Sequence, residues 1–318
     1  MTKNNPLVSV VIPTRNRPEL VLRAVRSALG QTYGNIEVIV VIDGPDQATV
    51  SALEAVQATD GRLRILPLPQ SVGACDTRNA GINTANGEWI ALLDDDDEWL
   101  PEKLDKQIAL GERSSHNLPV ISCKLIGRAP AADFIWPSTL PYLPIGDYLL
   151  ARTGLFQGEG TLQTSTLIGR RELFQCCPFK SGLRKCQDWD WMIRAFGLPG
   201  VGLEFVNEPL AIWYIEESRA TIGATNGWEF LLEWADSVRP RISPEAYASF
   251  LLTHISGSAS DEGAWNAFIP LLLSAVRKGR PRVIHLALYF GMWTVPRKFR
   301  RFIRRQFKGR PKSKSETK

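Results

Sequence analysis

EWIALLDDDDEWLPEKL, residues 88–104, joins a short apolar run to four consecutive aspartates. Residues 88–93 read as a strand bounded by the acidic cluster. Four adjacent carboxylates repel one another, so a fold that gathers Asp94, Asp95, Asp96 and Asp97 at a strand end points to a cation. Hard divalent ions such as Mg²⁺ take carboxylate oxygen together with substrate phosphate oxygen. An extended backbone would put Asp94 and Asp96 on one side and Asp95 and Asp97 on the other. The competing reading is a solvated acidic turn leading into a helix near Pro101.

The residues upstream give the tetrad its setting. Residues 7–12 (LVSVVI) form a short apolar strand ending at Pro13, and residues 18–29 carry apolar side chains at helical spacing. Residues 36–42 (IEVIVVI) are a second, β-branched strand stopped by Asp43-Gly44-Pro45. A helix over 47–58, a strand over 63–66 and a helix over 75–85 complete the run to the tetrad's strand. Strands and helices alternating at this spacing give parallel strands with crossover helices. Ligands then sit beyond the carboxyl ends of the strands. Arg15, Asn16, Asp43 and Asp94–Asp97 all fall there.

Downstream the pattern is weaker. Residues 125–145 are Pro-rich and aromatic without a clear period, which suggests a long connection over the sheet. Residues 161–168 (TLQTSTLI) read as a strand, 171–175 as a short helix and 188–196 as a helix. The chain is largely helical after Trp228, with an irregular stretch at 257–263. This gives a catalytic domain over 1–235, divided into halves 1–125 and 126–235, and a helical extension over 236–318.

Two further groups carry chemistry. Arg78, in VGACDTRNAGIN, can pair with a diphosphate or with the aspartates, because a guanidinium matches phosphate and carboxylate oxygens; a structural ion pair across the helix is the alternative. Asp188, in CQDWDW, stands at a helix start between tryptophans. Tryptophan can stack on a sugar face while the acid accepts a proton from a hydroxyl; otherwise Asp188 is an N-cap and the indoles are core.

Taken together and in this order, these pieces resemble the family-2 glycosyltransferases of GT-A fold. The residues that carry the resemblance are VSVVIPTRNRPEL (8–20), SALGQT (27–32), Asp43-Gly44, Gly73 with Arg78-Asn79-Ala80-Gly81, LLDDDDEWLPEKL, QTST (163–166) and QDWDW (187–191). The resemblance covers roughly residues 6–220. It implies an α/β fold, a Rossmann-like mixed sheet flanked by helices, with a C-terminal helical extension. It implies an inverting transfer from a nucleotide-diphosphate sugar, most readily a UDP-sugar, to a hydroxyl acceptor in cell-surface polysaccharide or glycolipid assembly. Pro13, Thr14, Arg15 and Asp43 would line the base pocket, Arg78 would lie near the nucleotide, and Asp94 with Asp95 near the ribose and metal. Asp96, with Asp94, would hold Mg²⁺ or Mn²⁺, and Asp188 would be the catalytic base. Three features depart from the family pattern. Arg15 stands where many members have an aromatic residue. Gln187 replaces the first acid of a Glu-Asp pair. Residues 213–222 (WYIEESRATI) supply no histidine as a further metal contact. A nucleotide-sugar binder without transfer activity is an alternative that Gln187 leaves open. A nucleotidyltransferase of related fold would want a Gly-rich phosphate loop after the first strand, and Ile12-Pro13-Thr14-Arg15 lacks the glycines.

Charge is segregated along the chain. The whole sequence carries a net charge of +5, but residues 277–318 hold 15 basic residues and one acid, leaving an acidic body. Residues 283–306 (VIHLALYFGMWTVPRKFRRFIRRQ) join an apolar stretch to a dense basic one, the pattern of an interfacial helix on an anionic membrane. The apolar stretch is shorter than the ~20 residues that span a bilayer. Nucleic-acid binding is the rival reading of the basic run, and nothing in the catalytic half supports a nucleic-acid partner. The polar start at 1–6 shows no signal-peptide pattern, and the five cysteines lack paired or zinc-site spacing. The expectation is a cytoplasmic protein, peripheral on the inner face of the plasma membrane, acting on a saccharide or lipid-linked saccharide acceptor.

Overall fold

A computed structural model of the chain describes residues 5–130, 132–154, 160–215, 227–295 and 299. The chain forms two compact units, one of Met1–Leu149 with Gly158–Thr225, the other of Leu150–Gln157 with Asn226–Lys318. The boundary drawn from sequence at 235 lies within a helix that clusters with the second unit.

The first unit begins with strands β1 (Val8–Thr14), β2 (Ile36–Ile42), β3 (Leu63–Pro67) and β4 (Trp89–Leu92), all parallel, in the order β3-β2-β1-β4. Helices α1 (Pro18–Leu29), α2 (Gln47–Gln57) and α3 (Ala74–Thr84) make the crossovers. Every residue of β2 is buried, which is why it reads as apolar but for Glu37, itself held by Ser9, Arg64 and Asn86: an inner parallel strand has both faces covered. α3 lies so close to the sheet that a side-chain carbon at Gly81 would stand 2.5 Å from Val11 Cγ1 and 2.9 Å from Val41 Cγ2. After β3 the chain returns to place β4 on the far side of β1. That reversal opens a crevice at the carboxyl ends of β1 and β4, where open α/β sheets bind ligands.

Beyond β4 come β5 (Asp97–Trp99), α4 (Lys103–Gly111), β6 (Leu118–Ala129), β7 (Ala132–Trp136), α5 (Ile145–Leu150), β8 (Ile168–Arg170), α6 (Arg171–Cys176), α7 (Gln187–Ala195) and β9 (Val201–Tyr214). They extend the sheet as β4-β8-β6-β9-β5, with β7 paired to β6. β8 is antiparallel to both β4 and β6, while β9 runs parallel to β6 and antiparallel to β5. The result is the expected mixed α/β sheet flanked by helices.

This half corrects several sequence expectations. The connection at 125–145 contains the end of β6 and all of β7, a hairpin. The strand expected at 161–168 is a 3-10 turn, Thr164–Thr166, followed by the three residues of β8. β9, 14 residues long, has no clear sequence signal because its mixed residues follow pairing with β6 rather than a solvent-facing alternation. All five cysteines are free.

The second unit is helical: α8 (Trp228–Val238), α9 (Pro244–Ser249), α10 (Ser256–Glu262), α11 (Phe268–Lys278) and α12 (Val283–Thr294). Ser243 caps α9 by accepting from Ala246 N, with proline at the first helical position. A π-helical segment, Phe250–Ile255, joins α9 to α10, so the stretch expected to be irregular at 257–263 is mostly helix, closed by Gly263 at φ 72°. Tyr247, Leu251, Leu252, Ile255, Leu271 and Tyr289 are all buried. His285 is buried too; its Nδ1 accepts from Arg282 N, so its Nε2 donates to Arg152 O, and burial lowers its pKa. Among the described residues no helix is long and apolar enough to cross a membrane. Residues 296–298 and the basic run at 300–318 lie outside the described residues, as do residues 216–222 of the segment lacking a histidine.

Candidate active site

A cavity of about 740 Å³ opens at the carboxyl ends of β1 and β4. All nine residues singled out from sequence line it: Pro13, Thr14, Arg15, Asp43, Arg78, Asp94, Asp95, Asp96 and Asp188. They come from five separate segments, and the sheet's order reversal is what brings them together.

The aspartate tetrad does not alternate along an extended strand. Asp97 N donates to Asp94 O over 3.1 Å, closing a turn before β5. Asp94, Asp95 and Asp96 face the cavity, and Asp97 turns into the interior, fully buried. Nor is the turn merely solvated, because each cavity-facing carboxylate meets an arginine. Arg78 Nη2 donates to Asp94 Oδ1 at 2.6 Å. Arg17 Nη1 lies 3.1 Å from Asp95 Oδ1 and 3.3 Å from Asp96 Oδ2. Thr14 Oγ1 donates to Asp95 Oδ2 at 2.7 Å, tying the end of β1 to the tetrad. Burial raises the pKa of Asp95, against the pull of Arg17 and Thr14.

Asp97 Oδ2 accepts from Ser165 Oγ at 2.6 Å and from Gln163 Nε2, while its Oδ1 has no hydrogen-bond partner among the described residues. Burial, with Asp96 and Asp94 nearby, holds this carboxyl well above the usual range. Ser165 Oγ also accepts from Asp94 N at 3.0 Å. The polar TST sequence is therefore a turn whose hydroxyl serves buried tetrad groups, and it sets Thr164 on the cavity wall.

Arg78, on α3, is buried on the cavity wall. Its Nη1 donates to Gln187 Oε1 at 2.6 Å, and Gln187 Nε2 donates to Leu183 O at 2.7 Å. Gln187, in the place of the family's first acid, thus receives an arginine proton that a carboxylate would also accept. Asp43 lies at the end of β2 and accepts from Val72 N at 2.6 Å, from Gly73 N and from Ser71 Oγ. Those bonds outweigh burial and lower its pKa. Gly73, at φ 89°, caps α3 in a conformation that suits glycine. Arg15 Nη1 donates to Ser71 Oγ at the cavity lip. Asp46 caps α2 through Thr49 N and also accepts from Asn16 N, holding Asn16 at φ 53° beside the site.

Asp188 sits in the first turn of α7, half-buried on the cavity wall. The cap position belongs to Cys186, in a left-handed conformation, so Asp188 is not an N-cap. Its Oδ1 accepts from Trp189 N at 2.9 Å. Burial pushes its pKa up to about 6; Asp94 adds to that, and the Trp189 amide and Arg78 oppose it. A carboxylate at that value can accept a proton near neutrality. The indoles expected to meet a sugar do not line the cavity. Trp191 is fully buried, stacked on Phe174 at 4.6 Å, and donates to Cys177 O. Sequence reasoning missed Arg17, Thr164, Arg184 and Lys185 on the wall; the basic loop before Gln187 was the signal for the last two.

Among the described residues no cluster of three or more His, Cys, Asp or Glu side chains could hold a metal ion alone. The donors facing the cavity at the tetrad are carboxylate oxygens. That set fits a hard divalent cation that takes most of its ligands from phosphate and water.

The sequence profile described as Glycosyl transferase family 2 matches residues 9–177. WcaA of Escherichia coli (strain K12), provisionally named a colanic acid biosynthesis glycosyl transferase, is 30% identical over 227 residues, covering 71% of this chain and 75% of WcaA. WfgD of Escherichia coli, a UDP-Glc:alpha-D-GlcNAc-diphosphoundecaprenol beta-1,3-glucosyltransferase, is 34% identical over 137 residues, 43% of this chain and 53% of WfgD. The fold is similar to that of S. aureus TarS 1-349 in complex with UDP-GlcNAc, with a TM-score of 0.62 at 18% identity over 93% of this chain and 92% of that one. It is also similar to the mannosyltransferase PcManGT from Pyrobaculum calidifontis, solved with GDP-Man and Mn²⁺, with a TM-score of 0.54 at 16% identity over 96% and 85% of the two chains. The chain belongs to Glycosyl transferase family 2 and is a glycosyltransferase of GT-A fold.

Proposed function

We propose that the chain moves a sugar from a nucleoside diphosphate sugar, a UDP-sugar first among candidates, to a hydroxyl of a saccharide or lipid-linked saccharide, with inversion. The observation that carries this reading is the pairing of two acidic poles on one cavity, Asp94–Asp96 at one side and Asp188 at the other, with Arg78 beside both. Pro13, Thr14, Arg15 and Asp43 line the part of the cavity suited to the base and ribose. Arg78 and Arg17 supply positive charge where the diphosphate would lie.

The reaction is one displacement. The acceptor oxygen bonds to the anomeric carbon as the bond from that carbon to the diphosphate oxygen breaks. Asp188 takes the hydroxyl proton, and the diphosphate leaves with the electron pair. Asp96 and Asp94 would hold Mg²⁺ or Mn²⁺, which when bound offsets charge on the departing diphosphate. The names of WcaA and WfgD support a place in polysaccharide or lipid-linked glycan assembly. The basic C-terminal segment supports a location at the inner membrane surface.

The test is nucleoside diphosphate release from a panel of UDP- and GDP-sugars with saccharide acceptors and Mg²⁺ or Mn²⁺. Acceptor-dependent release from one donor is expected, with an inverted anomeric product. A retained anomeric configuration, or binding of a donor without acceptor-dependent release, would overturn the reading.

A further inference from the structure

The second unit carries a surface that the tail's charge alone does not explain. On α11, Ile269, Leu273 and Val276 recur at i, i+4 and i+7, and they are 55%, 42% and 55% exposed. An amphipathic helix normally turns such a stripe inward; here Leu271 and Ala275 face the core instead. Val283, at the start of α12, is also exposed.

The stripe runs into a basic cluster assembled from two distant stretches. Arg239 and Arg241 lie in the connection after α8, and Arg277, Lys278, Arg280 and Arg282 lie at the end of α11 and the turn into α12. Arg280 N donates to Pro244 O at 2.9 Å, and Lys278 Nζ bonds Asp236 Oδ2 at 2.7 Å, so the two connections are neighbours. All six cations are on exposed residues, and neither 239–243 nor 277–282 contains an acid.

We infer that this face, the Ile269–Leu273–Val276 stripe with its rim of Arg239, Arg241, Arg277, Arg280 and Arg282, docks on an anionic lipid surface. The apolar stripe enters the headgroup boundary while the rim meets lipid phosphates. A nucleic acid would use the cations and leave the stripe in water, so the combination selects lipid. This deepens the membrane-surface location proposed above and assigns it to folded residues. Arg239 and Arg241, far from the tail in sequence, belong to the same surface.

Cosedimentation of the full chain with vesicles tests it, using phosphatidylglycerol–phosphatidylcholine mixtures and phosphatidylcholine alone. The wild type is expected to partition to the mixed vesicles only. R239S/R241S should lower that partitioning about 25-fold, at about fivefold for each basic residue. I269S/L273S/V276S should lower it roughly tenfold or more. Neither change touches the cavity, so nucleoside diphosphate release from soluble substrates should stay at the wild-type rate, which also reports folding. Wild-type partitioning in both variants, with loss only on removal of residues 296–318, would overturn this inference while keeping the tail. Absence of vesicle binding by the wild type, or retention on duplex DNA in its place, would overturn it as well. Failure of the glycosyltransfer reading would show separately, as no release with any donor.

Discussion

The two acidic poles of the cavity use the same residue type in opposite surroundings. At one pole Asp94, Asp95 and Asp96 each face an arginine, so their charge is met by guanidinium groups that phosphate oxygens can also claim. At the other, Asp188 has no ion pair among the described residues, and burial lifts its pKa to about 6. This difference underlies the proposed division of roles. A paired carboxylate is suited to holding a cation and a diphosphate, and a carboxyl with a raised pKa is suited to moving a proton. Arg78 links the two, because it bonds Asp94 and lowers Asp188 at the same time.

The largest expected effect comes from Asp188→Asn, which keeps the shape and removes the basic oxygen. Turnover should fall about 10²- to 10⁴-fold, with UDP affinity by calorimetry unchanged. Near-normal turnover would break the distinction between the poles. Asp96→Ala, or chelation of divalent metal, should lower turnover about a hundredfold or more while the thermal midpoint holds; excess Mn²⁺ should restore part of the variant's activity. If Asp96→Ala matched wild type at limiting metal, the cation would belong elsewhere.

Arg78→Gln should act on both poles. Donor affinity and turnover should drop about ten- to hundredfold, and the acid limb of the pH–rate profile should move to higher pH, because Arg78 no longer favours ionised Asp188. An unmoved limb would separate Arg78 from the base.

How much of this was legible depended on where the stabilising partners lie. β1, β2 and β4 announced themselves because inner parallel strands are apolar on both faces, so local sequence carried the signal. Pro13, Thr14, Arg15, Asp43 and Asp94–Asp96 stood out for the same reason, since each closes or follows one of those strands, whereas Arg78 and Asp188, on α3 and α7, stood out by their helix-start motifs. The tetrad's geometry was not legible. The turn at Asp94–Asp97 depends on Ser165 and Gln163, some 70 positions away, and no local rule says which aspartate turns inward. Arg17 was visible as a residue, but its role as counter-charge to Asp95 and Asp96 arises only when the start of α1 meets the turn between β4 and β5. β6 and β9 lacked a signal because their residues answer to each other across the sheet.

The smallest effect concerns stability. The pKa of Asp188 is higher in the folded chain than in the unfolded one, so the folded state binds the proton more readily. That favours folding at low pH, and the advantage is lost as pH rises from about 4 through about 6. At pH 7.5 Asp188→Asn should therefore be more stable than wild type by about 1–2 kcal/mol, a few degrees in thermal midpoint, and the gap should close near pH 4. A variant less stable than wild type at pH 7.5 would mean that the carboxylate is held by contacts favouring its charge.

The most direct measurement is the pH dependence of nucleoside diphosphate release at saturating donor, acceptor and metal. With Asp188 as the base, the wild-type rate rises with pH through a limb near 6 and levels off above it. In Asp188→Asn the residual rate loses that limb. The same limb persisting in Asp188→Asn, at a rate close to wild type, would contradict the account.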